Sequence, residues 1–401
     1  MTKIAIIGGG AGGFFTAINT AEKHSDYDIT IFEKGKNVLG KVKVSGGGRC
    51  NVTHACFEPK ELVKFYPRGT KELLGPFHSF MTGDTMEWFE KRGVALKIEE
   101  DNRVFPVSDD SQSIIDCLQE EIRRLGIKVK TQSTVTDITP LEKGWSISVN
   151  GTEEKFDKVV IATGGNSQSV WSELEKLGYK IIEPIPSLFT FNTKDTRFRN
   201  LSGLVVKDAS VKISGTKFLE QGPVLITHWG LSGPGILKLS SVGARHLHEK
   251  NYQFQIQVDW AFSFDKETVE GTFKSQRSSN PKKTIHNSPL FDIPKRFWHS
   301  LLQFCQISDQ KIWAELGKKE KNKLTEAIKN STISIHGKST NKEEFVTCGG
   351  VDLKQINFTK FESKLHPNLF FVGEVLDIDA LTGGFNFQAA WTGGWVVAQN
   401  I

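Results

Sequence analysis

The stretch KVSGGGRCNVTHAC, residues 43–56, combines reactive side chains with three consecutive glycines. Two cysteines could form a redox disulfide, cysteine and histidine could bind a metal, and glycines beside an arginine could wrap a phosphate. In a helix, Cys50 and Cys56 would lie about 9 Å apart, beyond the roughly 7 Å limit between the Cα atoms of a disulfide, although a loop would still allow the bond. Cys50, His54 and Cys56 also lack the fourth ligand and the spacing of a zinc site. We therefore expect a cofactor-wrapping loop without a metal, in which His54 and Cys56 are structural.

The residues before this stretch carry a nucleotide-binding pattern. An apolar run at residues 4–7 predicts a buried parallel strand, and GGGAGG at residues 8–13 contains G-x-G-x-x-G before a predicted helix. Gly8 would permit the tight turn, Gly10 the approach of a pyrophosphate, and Gly13 close packing of helix on strand. The helix N-terminus would then face the phosphates. A second predicted strand, residues 28–32, ends at Glu33, where an acid binds ribose hydroxyls and disfavours a 2′-phosphate. The pattern predicts a site for NAD or FAD.

Several further motifs resemble one family of flavoproteins. They are GGGAGG at 8–13, VSGGGRCNVT at 44–53, RVFPVS at 103–108, ATGG at 162–165, THWGLSGP at 227–234, TCGGV at 347–351 and VGEVLDIDALTGGFNFQAA at 372–390. In this order they resemble the BaiN-like, aminoacetone-oxidase-like FAD-binding proteins, also described as NAD(FAD)-utilising dehydrogenases. The resemblance covers nearly the whole chain and implies non-covalently bound FAD.

The resemblance also implies where the cofactor contacts lie. The SGGGRCN loop would line the flavin and pyrophosphate, and a C-terminal helix over residues 385–398 would begin beneath the isoalloxazine ring. The N-terminus of this helix would stabilise negative charge on the reduced flavin. Val135 is assigned to the adenine end by position alone. The predicted FAD-binding residues are Gly8, Gly10, Ala11, Gly12, Gly13, Glu33, Lys34, Gly40, Lys41, Ser45, Gly46, Gly47, Arg49, Cys50, Asn51, Val135, Ala162, Thr163, Gly164, Gly373, Glu374, Asp377, Gly384, Phe385, Asn386, Phe387 and Ala389.

Hydrophobic patterning indicates a discontinuous cofactor domain. We predict a helix over 111–125, strands at 127–130, 145–149, 155–161 and 369–372, and a hairpin turn at Asn150-Gly151. The predicted fold class is α/β, with a Rossmann-type, glutathione-reductase-like FAD-binding domain (a parallel sheet plus a β-meander) over 1–190 and 346–401. An inserted β-rich domain would comprise 191–260 and 330–345, including one helix over 233–248. A helical cap subdomain would comprise 261–329, and substrate would bind between cap and cofactor domain.

Composition narrows the setting and the partners. A net charge of +5 in 401 residues is too weak to imply nucleic acid, and five cysteines suit a reducing compartment. No uncharged apolar run reaches the length of a membrane span, so we expect a cytoplasmic protein without a membrane partner. Lysines gather at 282–283 and 318–323; a solvated helix face is the usual explanation, with a phosphorylated ligand or RNA as alternatives. The oligomeric state does not follow from the sequence.

These observations predict an FAD-dependent oxidoreductase acting on a small molecule. His228, in the THWGLSGP motif, is the candidate proton donor, although a structural histidine fits equally well. No second Rossmann fingerprint exists: glycines 233 and 235 would require a third at position 238, where Lys238 stands. Any NAD(P)H would therefore dock transiently, and reductase and oxidase both stay open. The alternatives are a flavin-dependent RNA-modifying protein, which would use the basic cap, and a non-catalytic FAD-binding or electron-relay protein.

Overall fold

The computed structural model describes residues 1–165, 167–339 and 346–401. Part of the predicted β-rich insertion, residues 340–345, lies outside the described residues. The described chain forms two compact units, one built from the two ends of the chain and one from its middle. Along the sequence, the first unit ends at Ser187 and the second begins at Leu188. The division of the middle segment into a β-rich and a helical domain stays a prediction. Within the described ranges, no helix combines the length and the apolar character needed to cross a membrane.

The elements of the first segment alternate between strand and helix over much of its length. The strands are β1 (Lys3–Ile7), β2 (Asp28–Phe32), β3 (Thr53–His54), β4 (Leu96–Ile98), β5 (Arg103–Pro106), β6 (Lys128–Lys130), β7 (Val135–Pro140), β8 (Trp145–Val149), β9 (Thr152–Phe156), β10 (Lys158–Ile161) and β11 (Ile181–Ser187). The helices are α1 (Ala11–Lys23), α2 (Gly40–Val44), α3 (Pro59–Leu62), α4 (Thr70–Phe77), α5 (Thr82–Glu90), α6 (Gln112–Arg124) and α7 (Gln168–Lys176).

The middle segment is strand-rich at first and helical later. Its strands are β12 (Thr190–Asn192), β13 (Val205–Val206), β14 (Ser210–Ile213), β15 (Leu219–Gln221), β16 (Val224–Ile226), β17 (Gly230–Ser232), β18 (Phe254–Asp259), β19 (Ser331–Ile335) and β20 (Gly337–Ser339). Its helices are α8 (Pro234–Val242), α9 (Ala244–Glu249), α10 (Lys266–Ser279), α11 (Lys295–Phe304) and α12 (Lys318–Lys329). The last segment adds β21 (Val346–Val351), β22 (Ile356–Asn357), β23 (Glu362–Ser363), β24 (Leu369–Phe371) and α13 (Phe385–Asn400).

A largely parallel sheet forms the centre of the first unit. Its order is β22-β23-β24-β10-β1-β2-β6, and the five strands from β24 to β6 run parallel. The four strands β24, β10, β1 and β2 are largely buried on both faces, as the continuous apolar runs predicted, whereas the two lysines of the edge strand β6 are exposed. Helices α1 and α13 pack on this sheet with small residues between them: a Cβ added at Gly394 would meet Thr16 Oγ1 at 3.0 Å. The predicted Rossmann-type α/β fold is confirmed.

A β-meander of β7, β8 and β9 accompanies this sheet, also as predicted. Asn150 and Gly151 form its hairpin turn, both at positive φ, 49° and 83°. One boundary was wrong: the predicted strand 155–161 is two strands, which break at Asp157. The first half pairs antiparallel with β8, and the second half pairs parallel with β1. The sequence pattern did not show the break, because Asp157 and Lys158 are a short polar interruption between the apolar Phe156 and the apolar residues 159–161.

In its described residues, 188–339, the middle unit has its own core and two sheets. Their orders are β13-β16-β17-β12-β20 and β15-β14-β18-β19. Its core contains large fully buried rings, including Trp260, Trp298 and Trp313. The helix predicted over 233–248 is wrong in one respect, because the chain forms two helices that meet at Gly243. A Cβ at that glycine would meet Ile213 Cδ1 at 2.7 Å, so the break lies where the chain packs closely on β14.

Candidate functional site

The carboxyl ends of the parallel strands bring together the predicted residues at one sheet edge. Gly8 N donates to Phe32 O (2.8 Å), Ala162 N to Ile7 O (2.8 Å) and Val372 N to Ile161 O (2.9 Å). The turns after β1, β2, β10 and β24 therefore start at the same level. Ligands of open α/β sheets bind in the crevice at such an edge. The edge gathers Gly8, Gly10, Ala11, Gly12, Gly13, Glu33, Ala162, Thr163, Gly164, Gly373 and Glu374.

The first turn leaves open space at one glycine and none at its neighbours. A Cβ at Gly8, whose φ is +117°, would lie 2.3 Å from Ala162 O, and one at Gly13 would lie 2.1 Å from Gly8 O. A Cβ at Gly10 would meet nothing within 4 Å. Gly10 is the N-cap of α1, and no side chain caps it. The turn thus presents backbone N–H groups and a positive helix end to an open space, which suits a pyrophosphate.

Glu33 is held in place by two backbone groups. Its Oε2 accepts from Gly9 N (2.9 Å) and its Oε1 from Gly35 N (2.7 Å). Its backbone oxygen accepts from Ser133 N (2.9 Å), which brings the start of the β-meander, and with it Val135, near this acid. A carboxylate oxygen accepts more than one hydrogen bond, so Glu33 retains capacity for a ribose hydroxyl.

The turn after β10 carries a polar atom without a partner. Thr163 Oγ1 is buried and has no hydrogen-bond partner among the described residues. Buried hydroxyl groups are normally paired, so an unpaired one at this sheet edge points to a missing ligand. The turn is supported from behind, where Thr347 Oγ1 donates to Gly165 O. The open space at Gly10, the oriented Glu33 and this unpaired hydroxyl together fit FAD or a related dinucleotide.

The SGGGRCN loop has an unusual backbone. Gly46, Gly47, Gly48 and Cys50 all have positive φ, between 58° and 86°. Gly47 and Gly48 would present a Cβ to open space, whereas one at Gly46 would meet Asn51 N at 2.9 Å. The left-handed backbone turns successive N–H groups toward one side, as anion-binding loops do.

Arg49 is engaged by protein groups. Its Nη1 lies 2.6 Å from Glu99 Oε1 and 3.3 Å from Asp109 Oδ1, and its guanidinium stacks 3.9 Å from the centre of the Phe105 ring. The positive charge of Arg49, which we expected to face the cofactor's phosphates, is therefore already balanced by two carboxylates of the protein. Its contribution to cofactor binding stays a prediction.

The two cysteines of the opening stretch are not bonded to each other. Cys50 is fully buried, and burial raises the pKa of its thiol to about 12. Burial also raises the pKa of the half-buried Cys56 thiol. High pKa values leave little thiolate, the nucleophilic form. In the described residues no cluster of three or more histidine, cysteine or acidic side chains is placed to hold a metal.

The loop is joined to the start of the last helix. With the Asn51 amide oriented by its hydrogen bonds, Oδ1 accepts from Gly384 N (3.0 Å) and Nδ2 donates to Thr53 O (2.9 Å). Gly384 has φ +92°, and a Cβ there would lie 2.6 Å from Thr53 O. Asn386 Oδ1 accepts from Ala380 N (2.9 Å), which fixes the preceding turn. The N-terminus of α13 is therefore held against the SGGGRCN loop.

Other predicted residues hold or surround this arrangement. Lys41 pairs with Glu374 (2.5 Å) and so ties α2 to the turn after β24. Gly40 begins α2, Lys34 is exposed, and the buried Asp377 donates its backbone N–H to Val351 O (3.1 Å). Phe385 and Ala389 are buried in α13, and the half-buried Phe387 stacks on Trp391.

The structure places His228 in the other unit. It is exposed at the tip of the hairpin between β16 and β17, in a turn held by Thr227 Oγ1, which accepts from Trp229 N and Gly230 N. The motif THWGLSGP thus forms the turn and second strand of a β-hairpin, which is followed by α8.

Sequence reasoning missed a buried ion pair beside the site. Arg68 binds Asp379 through two nitrogens, and Ser187 Oγ donates to Asp379 Oδ2 (2.9 Å). Asp379 is fully buried. Arg68 and Asp379 are 311 positions apart, so no spacing pattern connects them.

An aromatic group next to α13 was also missed. The Phe65 ring stacks on Phe385 (4.2 Å between ring centres), and the His54 ring lies 4.4 Å from that of Phe385. His54 Nδ1 is 3.2 Å from Gly383 O. Tyr66 donates to Phe385 O (2.6 Å), and burial raises the pKa of its phenol. The GGGRC and GGFN motifs gave the only signal, because each flanks this group.

A single family model matches almost the entire sequence. The match to the HI0933-like protein Rossmann domain runs from residue 2 to residue 400. The chain belongs to the HI0933-like family. The family resemblance seen in the motifs is thereby confirmed.

Individual relatives of this HI0933-like chain cover it end to end. It is 29% identical to the ribosomal RNA dihydrouridine synthase of Escherichia coli, over 99% of this chain and 97% of that protein. It is 26% identical to the 3-dehydro-bile acid delta(4,6)-reductase of Clostridium scindens, over 100% and 98%. Its fold resembles the 3-ketosteroid-delta4-(5alpha)-dehydrogenase of Rhodococcus jostii (TM-score 0.52, 12% identity, 99% and 97% covered). The predicted class, an FAD-dependent oxidoreductase, agrees with these comparisons.

Proposed function

We propose that this protein is an FAD-dependent reductase that saturates a carbon–carbon double bond conjugated to a carbonyl group, with a uracil base of RNA as its substrate. Dihydrouridine is uridine whose C5–C6 bond, conjugated to the C4 carbonyl, has gained two hydrogens. A delta(4,6)-reductase of a 3-oxo bile acid adds hydrogens to the same kind of conjugated system. The two named activities thus share one chemistry on different substrates.

The redox part of this proposal rests on the predicted FAD site at the sheet edge, which comprises the turn at Gly10, Glu33 and the SGGGRCN loop. Bound FAD would supply hydride transfer, with NADH or NADPH as transient donor. The N-terminus of α1 beside Gly10 would hold the pyrophosphate, Glu33 the ribose, and the loop at Gly46 and Gly47 the flavin side. The positive end of α13 would stabilise negative charge at the flavin ring.

Reduction of a conjugated double bond also needs a proton at the carbon next to the carbonyl. His54, which the sequence led us to expect as a structural residue, becomes our candidate donor, because it lies beside the N-terminus of α13 with Nδ1 3.2 Å from Gly383 O. Neighbouring Cys56 and Tyr66 are poorer acids, since burial raises both of their pKa values. His54→Gln should slow substrate reduction while leaving flavin content and flavin reduction by NAD(P)H unchanged. His228 stays the alternative donor, and His228→Gln is the matched variant.

The distribution of charge favours RNA over a small molecule. Residues 188–339 contain 23 lysines and arginines against 13 aspartates and glutamates, whereas the rest of the chain contains 28 against 33. The overall charge of +5 thus combines a middle segment of +10 with a remainder of −5. A segment this basic is the electrostatic footprint of a nucleic-acid partner. The sequence alone made a nucleic-acid partner the less favoured alternative, and the proposal reverses that order.

The test supplies purified protein with FAD, NADH or NADPH and protein-free bacterial ribosomal RNA under anaerobic conditions. We expect a yellow protein, and dihydrouridine detected by mass spectrometry of the digested RNA. A protein that stays colourless after incubation with FAD would refute the prediction that it binds a flavin. If the protein instead reduces a 3-oxo-Δ4 steroid and leaves the RNA unmodified, the result would support the second candidate, a small-molecule reductase. The match to the bile acid reductase favours this candidate.

A further inference from the structure

We propose that a basic cluster in the middle unit docks the phosphate backbone of RNA, an inference that rests on the proposed function. The cluster lies where the end of α10 meets the start of α12. All of its members are exposed, and within the described residues none of their charged side-chain groups makes a hydrogen bond or a close ion pair. It consists of Lys274, Arg277, Lys282, Lys283, Lys318 and Lys319.

Two ion pairs fix the geometry of the two helices. Lys266 binds Glu326 (2.6 Å), and Lys321 binds Glu270 (2.7 Å), so α10 and α12 run antiparallel. Continuing this register places Lys274 level with Lys318. The last turn of α10, which carries Arg277, therefore lies beside the first turn of α12.

The segment after α10 adds two more lysines to the same end. Ala314 N donates to Pro281 O and Trp313 N to Lys283 O, each at 3.0 Å, so residues 281–283 run along the stretch that leads into α12. The cluster thus comes from three neighbouring pieces of chain and is not one helix face.

The lysines of this region divide into paired and unpaired groups. Lys266, Lys311, Lys321 and Lys329 each have an acidic partner, Glu326, Glu320, Glu270 and Asp259 in that order. The acids next to the cluster are Glu270, Glu315 and Glu320. Glu270 lies one helical turn before Lys274, which interacts with it electrostatically, and it is already bound by Lys321. Glu315 is exposed, and Glu320 also accepts from Gly317 N (3.0 Å). The unpaired cations are gathered at one end, whereas a merely solvated surface would intersperse both signs.

Helix stability does not account for this arrangement. Lys318 and Lys319 occupy the first turn of α12, where the peptide dipoles disfavour cations. Their mutual repulsion and that of Lys282 and Lys283 also disfavour the cluster. A row of phosphates would offset both effects, and phosphate contacts position a protein on RNA without reading its sequence.

The test compares charge reversals in the full-length, flavin-loaded protein. The variants K318E/K319E and K282E/K283E remove the cluster's cations, and K143E/K155E changes the net charge equally on exposed lysines of the other unit. Glutamates at the start of α12 suit the helix dipole, so the first variant should fold normally. Protein-free bacterial ribosomal RNA is the probe, and filter retention is measured over a range of salt concentrations.

We expect each cluster variant to bind at least about tenfold more weakly than the control variant at low salt. The slope of log affinity against log salt should also fall by roughly 0.7–0.9 for each lost contact. If the cluster variants bind RNA as tightly as K143E/K155E does, the docking proposal is overturned, even if the wild type reduces uridine in RNA. Wild-type protein that retains no RNA would overturn the RNA substrate itself, whereas its flavin reduction by NAD(P)H would still test the redox proposal separately.

Discussion

The protein has two glycine-rich turns at its candidate cofactor site, and they use glycine for different reasons. In the first turn, Gly8 and Gly13 are pressed against backbone oxygens, with 2.3 and 2.1 Å left for an added Cβ. In the second turn, Gly47 and Gly48 face open space but have φ of +70° and +86°. Packing thus requires glycine at Gly13 in the first turn, where φ is not in the left-handed range, and backbone conformation requires it at Gly47 and Gly48 in the second turn.

This difference separates folding from binding. Close backbone contacts in the first turn set the distance between α1 and the sheet, so they belong to the stability of the unit. Gly10 is the exception there, because the space around it is open. The second turn makes fewer close contacts, so its glycines bear on the shape of the loop more than on the core. Substitutions that add one methyl group can test each role.

The largest effect is expected for Gly13→Ala. Its Cβ would lie 2.1 Å from Gly8 O, and neither backbone can move without separating α1 from β1. Overpacking of this kind costs about 3 kcal/mol, the upper end of the usual range, because the obstructing atom is backbone. Urea denaturation of the apoprotein measures it. A midpoint within error of the wild type would show that packing in the first turn is looser than described.

Gly10→Ala should separate binding from folding within the same turn. Its Cβ meets no atom, so the apoprotein should lose no more than about 1 kcal/mol, through the poorer N-cap. The methyl group would occupy the space assigned to the pyrophosphate, and we expect the Kd for FAD to rise at least about tenfold, or 1.4 kcal/mol. Fluorescence titration of apoprotein with FAD measures this Kd. Unchanged affinity would place the cofactor elsewhere.

Local pattern predicted the first of these turns better than the second. Strand, glycine spacing and Glu33 are close in sequence, so they predicted the sheet edge correctly. The partners of Arg49, Glu99 and Asp109, lie 50 and 60 positions away and leave no local signal, so the sequence did not show that this charge is already paired. The breaks at Asp157 and Gly243 were missed for a related reason, since hydrophobic periodicity does not record which sheet a residue joins.

The charge distribution shows the same limit at a larger scale. Every charge is visible in the sequence, but the total of +5 conceals opposite signs in two parts of the chain. The contrast has meaning only when the unit boundary at residues 187–188 is known. The buried pair of Arg68 and Asp379 is likewise a product of the fold, because it joins the start of α4 to the approach to α13.

Gly47→Ala should lower stability less than Gly13→Ala does, and by less free energy than Gly10→Ala costs in FAD affinity. At φ +70° an alanine costs about 1 kcal/mol, with no steric contact to add to it. Gly47→Asn should recover most of this loss, because asparagine tolerates the left-handed conformation. Urea denaturation of the two apoproteins gives the comparison. If alanine and asparagine destabilise equally, then space and not backbone conformation restricts this position.

The smallest perturbation is chemical labelling of the cysteine that ends the second turn. Burial raises the pKa of Cys50 to about 12, so only on the order of one thiol in ten thousand is ionised at pH 8. The half-buried Cys56 should react with iodoacetamide slowly at pH 8, Cys50 should not react in the native protein, and both should react in urea. Because burial raises the pKa of Cys56, the rate of its labelling should increase as the pH is raised above 8.

Rapid labelling of native Cys50 would mean that the second turn opens readily, and would return the redox disulfide to consideration. Protection at Cys50 with slow labelling at Cys56 would instead support a loop that is held closed by Asn51 and the start of α13.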